Sequence, residues 1–175
     1  MKKAVFKYGL ISGAISAMLM FITTGLLHDY IGFSAAGYAV GTAGMILSFL
    51  LIYPGMAYYR DNVGGGQISY GRALSIGLLI AAVSSVIYVF AWIIVYKTMM
   101  PDFMDKYAAY IVDGMKAKGA SADKISDKMA EMQKFKEMYK NPVLMFLMTY
   151  MEPLPAGILV SVISAFVVRR KKKVV

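Results

Sequence analysis

Long apolar runs alternate with short polar stretches along this chain, and four of the runs reach the length of a membrane span: residues 8–27, 37–59, 73–96 and 143–168. At about 1.5 Å of rise per residue, a helix needs roughly 20 residues to cross a hydrocarbon layer about 30 Å thick. Within that layer each backbone N–H and C=O must find its partner inside the segment, so runs of this length predict helices. The strict alternation of barrel strands is absent. Between the third and fourth runs the pattern changes. Phe103, Tyr107, Ile111 and Met115 recur at helical spacing, and Ile125, Met129, Met132 and Phe135 do so after them. That periodicity predicts two amphipathic helices rather than a fifth span. Gly119 suits the end of the first, Ser121 an N-cap for the second, and Asp123 the positive end of its first turn. Asn141-Pro142 reads as the N-cap and first helical residue of the last span. The expected fold is an all-α membrane protein forming a single domain over residues 1–175. It has four transmembrane helices and an extracytoplasmic amphipathic hairpin inserted at residues 101–140.

Composition strengthens this picture. Of 175 residues, 59% are hydrophobic, more than the 45–50% or so usual for a soluble domain. With no cysteine, disulfides and thiolate metal sites are excluded, and the lone histidine, His28, argues against zinc. No cofactor is expected. The net charge of +9 would suggest nucleic acid in a soluble protein, but here the basic residues flank the apolar runs, so no nucleic-acid partner is expected and orientation is the better account. Lys2, Lys3 and Lys7 precede the first run, Arg60 and Arg72 border the second connection, and Arg169 to Lys173 follow the fourth run. These segments share one side, which the positive-inside rule makes the cytoplasm, with both termini there. The long opposite connection carries many lysines too, but its acids are interspersed with them, and a segment of that size translocates largely as a folded unit. The lysines and apolar run at the start imitate a signal peptide without a clear cleavage site, so the first run is read as a retained helix. Tyr8, Tyr58, Tyr59 and Tyr70 near one set of ends, and Tyr30, Tyr38, Trp92, Tyr96 and Tyr150 near the other, match the two headgroup levels.

Small residues recur every four positions in each span. They include Gly9 and Gly13 in the first, Gly37 and Gly41 in the second, Gly77 in the third and Gly157 in the fourth. Lipid supplies no hydrophobic force between helices, so such stripes predict close backbone packing, either within one chain or between copies in a homo-oligomer.

Three features together carry a family resemblance: the connection GGGQISYGRALSIGL (residues 64–78), the segment KGASADKISDKM (residues 118–129), and an acid-containing last span ending in VVRRKKK. In this order they resemble the bacterial four-helix membrane proteins known as domain of unknown function 4199. The resemblance covers nearly the whole chain and implies a small protein of the inner membrane of Gram-negative bacteria. It carries over no activity, cofactor or catalytic residue.

Glu152 is the sharpest candidate site, since an ionisable side chain within a span costs roughly 2.5–3.5 kcal/mol on insertion scales and marks function by default. Pro153 and Pro155 beside it predict a kink or broken turn and disfavour a helical conformation at Glu152 itself. The functional reading is a proton or cation site; the plain one is a structural acid paired with His28 or Lys97. His28 and Asp29 can titrate near neutral pH or simply mark the interface. Pro54 predicts a kink near the cytoplasmic end of the second span. Met145, Met148 and Met151 are soft ligands in principle, though methionines at helical spacing are more often packing. Gly64 to Gly66 lack the Gly-Lys-Ser/Thr of a phosphate loop and read as a turn. No triad or paired-carboxylate pattern falls in the spans, so an enzyme is not expected. The preferred reading is a non-catalytic scaffold or accessory subunit whose outer hairpin contacts a membrane or periplasmic protein. The alternative is a small oligomeric transporter or channel component using Glu152 in a broken fourth helix. A hydrated cavity reaching Glu152 separates the two.

Overall fold

The computed structural model describes residues 1–26 and 32–169, and their regular structure is helical. In chain order the helices are α1 (Lys2–Leu26), α2 (Ala35–Phe49), α3 (Ile52–Asn62), α4 (Tyr70–Thr98), α5 (Phe103–Ala117), α6 (Ala122–Lys140), α7 (Pro142–Met151) and α8 (Leu154–Val168). Four stretches are long and apolar enough to cross a membrane: Lys2–Gly25, Ala35–Asn62, Tyr70–Thr98 and Pro142–Val168. Each contains or closely matches one expected run. The first helix starts earlier than expected, at Lys2, because Met1 accepts from the Val5 N–H and lysine is a good helix former.

Proline divides two of the spans. In the second, the break lies at Leu50–Leu51, about one turn before Pro54 rather than at it. Pro54 has no N–H for the Leu50 carbonyl, and its ring crowds that same carbonyl, so the interruption falls four residues upstream. Tighter bonds bridge it, from Leu51 N to Ser48 O at 3.4 Å and from Tyr53 N to Leu50 O at 3.3 Å, before Gly55 N returns to the regular pattern. In the fourth span the break falls at Glu152–Pro153 as the prolines predict. Glu152 itself nevertheless keeps helical dihedrals, φ −63° and ψ −53°. Pro-kinked helices are the known exception to the pre-proline bias.

One apolar core ties an end of the bundle together. Val5, Ile68 and Val168 share a cluster with Phe49, Ile52, Met56, Ile76 and Ile80. The start of α1, the α3–α4 connection and the end of α8 therefore lie at one end. Glycine permits the close approach. A Cβ on Gly9 would stand 2.8 Å from Val83 Cβ, one on Gly13 2.7 Å from Ile87 Cβ, and one on Gly157 2.8 Å from Ala81 Cβ, while one on Gly77 would strike Met56 and Ser161. Gly55 does the same against Ile80 and Tyr8. Gly41 is different, with nothing within 4 Å of its Cβ direction. It is not a packing residue here, because α2 stands away from its neighbours at that level.

The outward surface is apolar on several helices, with Met18 63%, Leu47 60%, Leu159 61% and Val167 67% exposed. Water would penalise such a surface, whereas hydrocarbon does not. At the bundle's other end, α5 and α6 are joined through Gly119, which takes φ +72° after the C-cap Lys118. Lys136 pairs with Asp105 across the two helices. The expected apolar faces are rotated slightly. Met104 and Val112 are the buried residues of α5, and Tyr139 that of α6, while Met129 is 56% exposed. Met132, Phe135 and Tyr139 form the inward stripe of α6, since the packed partner lies toward its C-terminal end.

Candidate functional site

Beyond the apolar core the helices part, and a cavity of about 470 Å³ opens among α1, α2, α4, α5, α6 and the α7–α8 junction. Small residues create it. Gly37, Gly41 and Gly44 line the α2 wall, where larger side chains would fill the space. Gly37 and Gly41, expected as helix-packing positions, thus serve as cavity wall.

Glu152 lines this cavity, placed there by the break between α7 and α8. Its side chain is exposed and borders the open volume. Tyr88 of α4 lines the same cavity and is its near neighbour. Glu152 is the one charged side chain among the described residues that line the space. Proline chemistry adds acceptors nearby: Pro155 has no N–H to offer the Met151 carbonyl, and the Thr149 carbonyl, which Pro153 cannot reach, accepts instead from Glu152 N at 3.3 Å.

A polar relay supports the wall. Trp92 Nε1 donates to Tyr139 Oη at 3.2 Å, and Tyr139 Oη lies 2.9 Å from Thr149 Oγ1. This chain of bonds joins α4, α6 and α7. Asn141 fixes the entry to α7 as its residue type predicts, its Oδ1 accepting from Val143 N at 2.9 Å and Leu144 N at 3.3 Å. Below the cavity, Ser12 donates to Ser48 O at 2.7 Å and meets Ser84 Oγ at 3.0 Å, a buried polar contact between α1, α2 and α4. Ser16, one turn above Ser12, lines the cavity floor.

None of the other sequence candidates among the described residues joins Glu152. His28 and Asp29 lie outside the described residues. Lys97 is exposed and is not part of the lining. Met145 is buried, Met148 faces the cavity and Met151 is 64% exposed, so the three thioethers do not converge. The glycine run is a tight turn, with Gly65 at φ +61° and Gly66 at φ +80°. Sequence reasoning missed Tyr88, since one tyrosine in an apolar run carries no sign of what it faces. It also missed the structural part of Arg60, whose guanidinium is buried, pairs with Asp61 at 2.7 Å and donates to Val168 O at 3.3 Å. Arg-Asp at the close of an apolar run was the available signal. That bond caps the last carbonyls of α8, where a cation is favourable.

A family model described as "Protein of unknown function (DUF4199)" matches residues 7–170. No curated protein and no solved structure matches the chain.

Proposed function

This chain belongs to the DUF4199 family, and we propose that it is a multi-pass protein of the bacterial inner membrane that captures a cation in an outward-facing cavity. Glu152 is the charge partner, and the protein serves as a component of a small transport system. The observation that carries this reading is a carboxylate at a break in a span, the one charged side chain among the described lining residues, facing open volume instead of being sealed among side chains. Inserting such a group costs energy that a purely structural residue at this depth would not need to spend.

Two further features support it. The second helix of each successive pair is the interrupted one, in spans 35–62 and 142–168. Interruptions at corresponding positions of two halves point to a substrate site. Phe49, the last residue of α2, reaches Gly157 of α8 just past the second break, so the two interruptions are neighbours. The basic residues Lys2, Lys3, Lys7, Arg60, Arg72 and Arg169 fall at the end tied by Val5, Ile68 and Val168. The positive-inside rule supports placing that end, with both termini, in the cytoplasm. Helices α5 and α6 then form an extracytoplasmic hairpin over the cavity mouth. The apolar core closes the cytoplasmic half, so passage requires rearrangement or a second subunit.

The chain has no cysteine, which makes the test direct. A Glu152→Cys variant in intact spheroplasts is treated with a membrane-impermeant, positively charged thiol reagent. Labelling from outside is expected, as for a Lys118→Cys control in the exposed turn, whereas lipid-facing Leu159→Cys stays unlabelled. Protection of Glu152→Cys while Lys118→Cys reacts removes the cavity reading and leaves the docking scaffold as the better account.

A further inference from the structure

The walls around Glu152 indicate which kind of cation fits. Aromatic rings crowd the outer part of the cavity. Trp92 and Phe103 meet edge to face with centroids 4.8 Å apart, Phe103 stacks on Tyr107 at 5.9 Å, and Phe33 lies 5.3 Å from Phe103. All four rings line the cavity. Aromatic faces carry negative potential and bind weakly hydrated cations, with quaternary ammonium groups the best-known case. A small metal ion needs several oxygen ligands to replace its water. Among the described residues no three His, Cys, Asp or Glu side chains come together, so Glu152 stands alone against the charge that enters. A cavity of about 470 Å³ also far exceeds a bare ion and falls in the range of about 300–1,000 Å³ that takes drug-sized organic molecules. Met20, Met100, Met104 and Met148 line it as well, and flexible thioethers let an apolar wall adapt to more than one shape.

We propose that the cavity is a site for an organic monocation, an alkylated ammonium group with an apolar body, held by the Glu152 carboxylate and boxed by Trp92, Phe103, Tyr107 and Phe33. This rests on the outward-facing cavity described above and adds its ligand class. The head group is neutralised by one carboxylate, and its methyl groups lose little hydration on meeting the rings. The body occupies the methionine-lined remainder. A free alkylammonium compound and the choline head of a lipid share this chemistry.

Trp92 is the single tryptophan and sits in the wall, so it reports occupancy of the full chain in nanodiscs. The probe is benzyltrimethylammonium, compared with its uncharged isostere neopentylbenzene and with sodium chloride at equal ionic strength. Saturable quenching by the cation is expected, with at least tenfold weaker binding of the isostere. Glu152→Gln is expected to weaken the cation at least tenfold, and Phe103→Leu and Tyr107→Leu by three- to tenfold, in samples whose helical circular dichroism matches the parent. Equal binding of the isostere overturns the proposal, and so does displacement of the probe by millimolar sodium. Failure of the probe to bind while Glu152→Cys is labelled from outside overturns the ligand class alone; failure of both overturns the cavity reading beneath it. Displacement of the probe when phosphatidylcholine enters phosphatidylglycerol discs assigns the head group to lipid, and its persistence assigns it to a soluble compound. Either outcome supports the alkylammonium site.

Discussion

Gly13 and Gly41 occupy equivalent places in the small-residue pattern, yet the structure gives them opposite surroundings, and that contrast makes a sharp test of the packing. Alanine at position 13 places its Cβ 2.5 Å from Ile87 Cδ1 and 2.7 Å from Ile87 Cβ. The first atom can swing away by a rotamer change, but the second is fixed to the α4 backbone. The α1–α4 contact must therefore open by about an ångström, and such overpacking costs typically about 1–3 kcal/mol. Replacing glycine inside a helix returns at most about 1 kcal/mol of propensity. Gly13→Ala is thus expected to be destabilising by up to about 2 kcal/mol, and Gly13→Leu by more. Alanine at position 41 meets nothing within 4 Å, so only the propensity gain remains and the change is neutral or stabilising by up to about 1 kcal/mol. The two variants should differ by about 1–3 kcal/mol, a factor of roughly 5–150 in the unfolding equilibrium. Reversible unfolding in mixed micelles of mild detergent and sodium dodecyl sulfate, followed by circular dichroism, measures it. Equal shifts for both, or a larger loss for Gly41→Ala, would refute the α1–α4 contact and the open wall at α2 together.

Three other outcomes follow from single contacts. Ser12→Ala and Ser84→Ala, combined in a double-mutant cycle, should give a coupling of about 0.6 kcal/mol and no more than about 1.7, the range for polar contacts between membrane helices; zero coupling in the same micelle titration rejects the 3.0 Å contact. Tyr139→Phe removes the hydroxyl between Trp92 and Thr149, which should lower stability by about 0.5–1.5 kcal/mol and move the Trp92 emission maximum to the red as cavity water takes over the indole N–H. An unmoved spectrum would contradict the relay. Asp105 holds the Lys136 ammonium above the usual lysine range. A raised lysine pKa means the pair contributes fully below the unfolded lysine value, about 10.4, and is lost only as pH rises through the higher folded value. The distance between labels on α5 and α6, read by resonance energy transfer, should therefore stay level from about pH 7 to 10 and lengthen beyond that. Lengthening already near pH 8 would assign the hold to some other group.

Hydropathy is a sum over residues, so the four apolar stretches, the amphipathic segment between the third and fourth, and the turn at Gly119 were all legible from the chain alone. Local chemistry was legible too. Asn141-Pro142 starts α7 and Pro153 breaks the fourth span for reasons contained in a few adjacent residues. The site of the Pro54 break shifted upstream because the clash is with a carbonyl four residues earlier, a three-dimensional relation.

Glu152 stood out in the sequence as a charge in an apolar run, but its meaning depended on neighbours up to 136 positions away, from Ser16 onward. A cavity is the space left by the placement of many side chains, and no one of them encodes it. The same holds for the glycines, since Gly13 and Gly41 look alike along the chain and differ only in what stands opposite. Solvent preference and backbone stereochemistry act locally and were written in residue order. Helix separation, and with it the open volume, its aromatic lining and the neighbour Tyr88, emerged only when distant faces met.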